Sequence, residues 1–389
     1  MNHNNGFDLF RELPLEITID ILSRLPIGTV IRSKLVSKAW RDVIKSHEFV
    51  EAHHSKREHR HEHDTFFVKT SSGGSEAYKL LEGYGSSTPT TTTTICRTGT
   101  LAKYKPLLPY SSSVMGLMLL LGPRSDVFSI CNPVTREYVR VPVPPPPKSL
   151  DHLYDMRLPK LYRCFSYGIG VSKKSKQYKL VFIFGCHGCQ VYTLGTGQWR
   201  VGPSPPITED YFSGGGNWAS LDGKLYWVKD MENICSFDLE SEVFTSFSAP
   251  PCPNQVVGES VHKGSFLRRV CVLEEGLCVC DAAQSSTHDL DMLIWIMRRE
   301  GVWRLQCRIV KANIRGDMHM SLPIKVLGKG KTILLASEEG CGERYWYGTN
   351  NASITQNQQY TYACPFTQNL VPTPRQRYHS LLLILISRC

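Results

Sequence analysis

Residues 191–206 read VYTLGTGQWRVGPSPP: an apolar run, a polar turn, an aromatic residue and a proline-rich exit. The phrase recurs in FSICNPVTREYVRVPVPPPP from Phe128, CSFDLESEVFTSFSAPP from Cys235 and, without the prolines, LIWIMRREGVWRLQCRI from Leu293. Each copy reads as strand, turn, strand, because short runs of β-branched and aromatic residues set off by Gly, Pro, Asn and Asp favour extended backbone. The aromatic anchors Tyr138, Trp199, Phe244 and Trp303 stand 61, 45 and 59 residues apart. That spacing is near the roughly 40–50 residue period of a propeller blade, with insertions of unequal length.

Working outward, GLMLLL, DVFSIC, QYKLVFIF, KLYWV, RRVCVL, LCVC and TILLA continue the pattern, and the helical period nearly vanishes after about Val114. Asp222-Gly223, Glu275-Gly276 and Gly328-Lys329-Gly330-Lys331 each separate two apolar runs, which predicts tight hairpins. The expected fold over 106–389 is therefore a large all-β domain. The recurrence favours a β-propeller over a sandwich of hairpins, which would give similar local patterns.

The beginning of the chain is patterned differently. Leu13, Ile17, Ile21, Leu22 and Leu25 follow a helical stripe, Pro14 sits where a first-turn proline is tolerated, and Pro26 and Gly28 end the run. Thr29 is the expected cap of a second helix carrying Ile31 and Leu35. Ser37 is the expected cap of a third with Trp40, Val43 and Ile44, and Phe49 lies beyond. Three short helices over 6–54 bury too little to stand comfortably alone, since one core of this size rarely supplies more than about 3–5 kcal/mol. A partner is expected to cover the surplus. Residues 55–105 are expected to be a linker or loop, His-rich through EAHHSKREHRHEHD (51–64) and then Ser/Thr/Gly-rich with SSGG, YGSS and TPTTTTT.

The series Leu13-Pro14-x-Glu16-Ile17, Ile21-Leu22-x-x-Leu25-Pro26, Ile31-Arg32, Val36-Ser37-x-x-Trp40 and Phe49 resembles an F-box. CNPVTRE, FSYGIGVSKKSKQYKLVFIF and NWASLDGKLYWV followed by FDLESEVF resemble the plant F-box-associated β-propeller-like domain. The resemblance implies a docking module for the Skp-type adaptor, and through it cullin, of a Skp–cullin–F-box ubiquitin ligase. The β domain would then bind a substrate protein for ubiquitination and proteasomal degradation. The expected adaptor-binding seam with its supporting core is Leu13, Pro14, Ile17, Ile21, Leu25, Pro26, Ile31, Val36 and Trp40. Family members often carry an aromatic at the position of Ser33 and Cys at that of Leu35.

Other chemistries find little footing. Gly328 to Thr332 resembles the end of a phosphate-binding loop, but Lys325 stands where its first glycine belongs and a strand follows instead of a helix. Cys186 and Cys189 have CxxC spacing without a second pair, so a hairpin turn is expected and no zinc. His53, His54, His59, His61 and His63 read as a solvated stretch, and Trp218, Tyr226, Trp227, Trp295 and Trp346 mostly as blade core. No GxSxG, HExxH or paired-carboxylate signature is present, so neither a catalytic set nor a cofactor is expected. Residues 1–63 hold 10 of the 45 Lys+Arg and 9 of the 35 Asp+Glu, so the net charge of +10 is spread out and a nucleic-acid partner is not expected. The longest apolar stretch, Val114 to Gly122, is too short to span a membrane. MNHNNGFDLF does not read as a secretory signal, which points to the cytoplasm or nucleus and to the 14 cysteines remaining thiols. The remaining rivals are a glycan- or protein-binding scaffold propeller uncoupled from ubiquitin, and a hydrolase or oxidase housed in one.

Overall fold

The computed structural model describes residues 13–25, 27–58, 66–72, 75–82, 91–97, 105–106, 116–121, 127–132, 135, 137–145, 147, 166–207, 218–251, 266–273, 276–283, 292–309, 321–327, 332–337, 344–348, 353–356 and 362–365. Helices come first: α1 (Leu15–Ser23), α2 (Ile27–Ser33), α3 (Lys38–Lys45) and α4 (His47–Glu58). Ser37 caps α3 by accepting the Trp40 N–H at 3.1 Å, as its position predicts. Helix α2 starts ahead of Thr29, and a fourth helix extends the three expected. Ser46 Oγ accepts the Phe49 N–H at 3.2 Å, and the Glu, Ala, Lys and Arg of the His-rich stretch are good enough helix formers to carry α4 to Glu58.

Among the described residues, six four-stranded antiparallel sheets follow. The first holds β1 (Phe66–Ser72), β2 (Ser75–Glu82) and β3 (Thr91–Arg97). The second holds β4 (Lys105–Pro106), β5 (Met118–Leu121), β6 (Val127–Asn132) and β7 (Glu137–Pro142), and the third β8 (Ser166–Val171), β9 (Tyr178–Ile183), β10 (Cys189–Thr193) and β11 (Trp199–Val201). The fourth holds β12 (Trp218–Leu221), β13 (Lys224–Val228), β14 (Asn233–Asp238) and β15 (Phe244–Ser248), and the fifth β16 (Phe266–Leu273), β17 (Gly276–Ala283), β18 (Met292–Arg299) and β19 (Val302–Ile309). The sixth holds β20 (Ser321–Leu327), β21 (Thr332–Ser337), β22 (Arg344–Gly348) and β23 (Ser353–Gln356). A last strand, β24 (Tyr362–Pro365), returns to the first sheet and pairs with β1, Phe66 opposite Pro365 and Lys69 opposite Tyr362.

Strands β8, β12, β16, β20 and β24 lie one against the next, which makes them the inner strands of consecutive blades. The four recurring phrases are the outer hairpins β6–β7, β10–β11, β14–β15 and β18–β19 of blades two to five. Two of their aromatic anchors tie blades together. Trp199 Nε1 donates to the Pro142 carbonyl at 2.7 Å and Trp303 Nε1 to the Ser248 carbonyl at 2.7 Å, each bridging to the outer strand of the blade before. Between blades four and five, Arg268 forms a fully buried two-pronged pair with Asp281 at 2.7 and 2.8 Å. Arg268 also donates to the Met231 carbonyl, and Trp295 Nε1 donates to Asp281 at 3.1 Å.

The stretch 55–105 corrects the expected linker: it contains the end of α4, three strands of blade one, and Lys105 of β4. Thr91–Arg97, TTTTICR, looks like low complexity, yet threonine is β-branched and pairs readily once β2 is alongside. Asp222 and Gly223 form the predicted two-residue hairpin, with φ of +49° and +80°. A Cβ at Gly223 would lie 3.0 Å from Lys173 Cβ, so that turn needs glycine twice over. Strand β21 follows β20 as expected, while Gly328 to Lys331 themselves lie outside the described residues. Among the described residues no helix is long and apolar enough to cross a membrane.

Candidate partner-docking face

Helix α1 is apolar on two sides, and a helix of that kind needs two interfaces. Thr18 and Leu22, four residues apart, face the chain's own interior, with Leu22 only 1% exposed. Ile17 and Ile21, also four apart, face outward at 47% and 39%, beside Leu15 at 55%. The inward side is pinned to α4, where Lys56 Nζ donates to Ser23 Oγ at 2.8 Å, to the Asp20 carbonyl at 3.1 Å and to the Asp20 carboxylate. Lys56 first, then Arg24 at 2.8 Å, holds the Asp20 carboxyl below its usual range.

The same division runs through the other helices. Ile27 and Val30 of α2, Ile44 of α3, and Phe49, Val50 and His53 of α4 are buried. After α2 the chain tightens, with Leu35 N–H donating to the Arg32 carbonyl at 2.9 Å and Val36 N–H to the Ser33 carbonyl at 3.1 Å. This turn pushes Leu35 (81% exposed) and Val36 (66%) into solvent. Five large apolar side chains are thus left uncovered within 22 residues of sequence, on α1 and the turn after α2, whose helices are occupied on their other side.

The predicted seam divides accordingly. Pro14, Ile17, Ile21 and Val36 are exposed, Leu13 is half-buried at the head of α1, and Leu25, Ile31 and Trp40 are half-buried against the core as supports. Pro26 lies outside the described residues. Leu15 and Leu35 were missed. Leu15 fell on an unconstrained position of the motif, and Leu35 was expected inside a second helix that ends at Ser33 instead. His53, expected in solvent, is buried with its ring 5.9 Å from that of Phe49.

Buried residues of these helices belong to one apolar cluster with side chains of blades two, three and four. Burial lowers the Lys34 ammonium below its usual range against the opposing pull of Glu137, the first residue of β7. Glu137 stands at the β6–β7 turn, on the same rim of the ring as the turns between first and second strands, because a four-stranded meander puts both there. On the opposite rim lie the turns between second and third strands, described at 184–188 and 229–232.

The remaining candidates are structural in their surroundings. Cys186 is exposed on a short 3-10 turn, whereas Cys189 is buried with its Sγ donating to the Pro203 carbonyl at 3.0 Å. Burial pushes the Cys189 and Cys235 thiols up to about 12. Trp218, Tyr226 and Trp227 are buried, and Trp295 packs on the core between blades four and five. Cys278 and Cys280 of β17 are both buried.

Residues 110–373 match the family described as the F-box associated beta propeller domain, and residues 10–51 match the F-box domain. The chain belongs to the F-box associated beta propeller family. An F-box/LRR-repeat/kelch-repeat protein of Arabidopsis thaliana is 28% identical over 285 residues, covering 68% of this chain and 72% of that one. An F-box protein of the same plant is 27% identical over 269 residues, covering 64% of this chain and 61% of that one. Among solved structures, TolB from Acinetobacter baumannii aligns at a TM-score of 0.40 with 9% identity, over 82% of this chain and 71% of that one. The F-box associated propeller thus begins beyond α4, and the F-box supplies the exposed apolar face.

Proposed function

We propose that this chain is the substrate-recognition subunit of a Skp–cullin–F-box ubiquitin ligase, docking a Skp-type adaptor through α1–α3 and holding a target protein on the propeller. The observation that carries the reading is the outward stripe Leu15, Ile17 and Ile21 of α1 with Leu35 and Val36 of the turn after α2, beside helices whose inner side is spent on their own chain. An amphipathic helical partner covers such a stripe, and burial stabilises the complex by about 25 cal/mol per Å² of apolar surface. The rim carrying the turns 184–188 and 229–232, opposite that of Glu137, is the side offered to the target. In this reading ubiquitin chemistry belongs to other subunits, and the chain contributes proximity: it raises the effective concentration of the target and orients it. Replacing Leu13, Pro14 and Ile17 together with alanine and co-purifying the full chain with a Skp-type adaptor tests it. Loss of the adaptor with an unchanged melting temperature supports the reading, and undiminished capture sinks it.

A further inference from the structure

The seam between blades three and four carries a hydroxyl set among cations. Ser175 stands in the β8–β9 turn, where 173–177 are all exposed, with Lys173 and Lys174 before it and Lys176 after it. The exposed hydroxyls of the adjacent turns have no such company: Thr196 stands between two glycines and Ser241 between two glutamates. A cleft lined with carboxylates attracts the first of these segments, has no pull on the second and repels the third.

The turn is also built to open. Lys176 adopts φ +54°, a left-handed backbone that strains any residue with a side chain, and opening relieves it. The contacts that hold Ser175 across to blade four lie at the surface. Its N–H and hydroxyl donate to the Glu240 carboxylate at 2.9 and 3.2 Å, and the Lys174 N–H donates to the same carboxylate at 3.1 Å. Behind it, Ser172 Oγ lies 2.6 Å from Ser175 Oγ and accepts the Gln177 N–H at 2.8 Å. Exposed bonds of this kind exchange with water at little net cost.

Those same contacts make a modification there consequential. A phosphate on Ser175 Oγ removes the hydroxyl donor and sets nearly two negative charges beside the Glu240 carboxylate. Lys173 and Lys179 can turn to it only by leaving Asp222 and Glu242, each of which they hold at 2.7 Å. Lys174 and Lys176 are left to screen the phosphate, and neither restores the lost donor to Glu240.

We propose that Ser175 is a phosphorylation site for a protein kinase with an acidic substrate cleft, and that the phosphate releases the clasp between blades three and four. In the transfer Ser175 Oγ attacks the γ-phosphorus of ATP and the bond from that phosphorus to the β,γ-bridging oxygen breaks. ADP leaves with the electron pair, and the hydroxyl proton passes to the kinase's catalytic carboxylate. The proposal goes beyond the adaptor reading and stands without it.

The test treats the full chain with ATP, Mg²⁺ and the catalytic domain of protein kinase C as the probe, beside a synthetic peptide of residues 169–181. Mass spectrometry finds phosphate on Ser175 in both, Ser175→Ala abolishes it at that position, and Ser175→Thr keeps it. The phosphorylated parent melts below kinase-treated Ser175→Ala, and its amides across 173–177 and 239–243 exchange about fivefold faster, as expected when one or two exposed charged contacts are lost. In a Glu240→Gln background both differences shrink, because the repelled carboxylate is gone. Phosphorylation of the peptide without the chain, or of neither, overturns the inference. So does a phosphorylated chain with parental melting and exchange, or an undiminished effect in Glu240→Gln.

Discussion

Changing Ile17 and Ile21 together to alanine empties the middle of the outward stripe of α1 while leaving the buried cluster intact. At 47% and 39% exposed, the two side chains together offer a partner a little under one whole isoleucine of surface. Full burial of one such side chain contributes about 1.5–3 kcal/mol, and alanine retains roughly a third of the contact, so docking should weaken by about 1–2 kcal/mol. That is roughly a five- to thirtyfold rise in Kd. Calorimetric titration of a purified Skp-type adaptor into the full chain measures it, with thermal melting as the control. Leu22→Ala provides the contrast: at 1% exposed it faces inward, and its loss should cost about 2–5 kcal/mol of stability. A double variant that binds within twofold of the parent, or one that melts as low as Leu22→Ala, would show that the stripe is not what the adaptor covers.

Asp281→Ala leaves Arg268 buried without its carboxylate and should destabilise by about 3–5 kcal/mol in denaturant unfolding; a loss under 1 kcal/mol would contradict the bracket between blades four and five. The seam between blades three and four should be acid-labile. Backbone N–H groups of Ser175 and Lys174 lower the Glu240 carboxyl, and Arg200 and Lys179 outweigh burial to lower that of Glu242. Both folded values lie below the unfolded 4.5, so this stabilisation is present above pH 4.5 and is lost as pH falls through the folded values. Glu240→Gln with Glu242→Gln should lower the melting temperature at pH 7 and flatten its decline on acidification, and an unchanged slope would refute the assignment. A chain ending at residue 361 lacks β24 and leaves β1 unpaired on its inner side, so it should unfold at lower temperature and be cut by protease within blade one; parental resistance would deny the closure.

The four phrases were legible because each carries its own turn and anchor within about 17 residues of sequence, as in Val191 to Pro206. Blade one was not. Its strand Thr91–Arg97 has no large apolar side chain except Ile95, and its fourth strand arrives only at Tyr362, a pairing no local pattern announces. The docking face was half legible for a related reason. Helical periodicity identifies Leu22 and Ile21 alike as apolar, but only packing against α4 decides that Leu22 turns inward and Ile21 outward. Leu35 was lost because α2 stops at Ser33, whose hydroxyl donates to the Thr29 carbonyl at 2.9 Å instead of extending the stripe.

The clasp formed by β24 on β1 also imposes a timetable. During synthesis the helices and three quarters of blade one leave the ribosome first, and the strand that locks them arrives roughly 300 residues later, after a large loss of chain freedom. A message truncated anywhere between the end of α4 and Tyr362 therefore yields a chain with its hook finished and its ring unlatched. On the proposed function, such a fragment engages the adaptor but holds no target, and so competes with the intact chain.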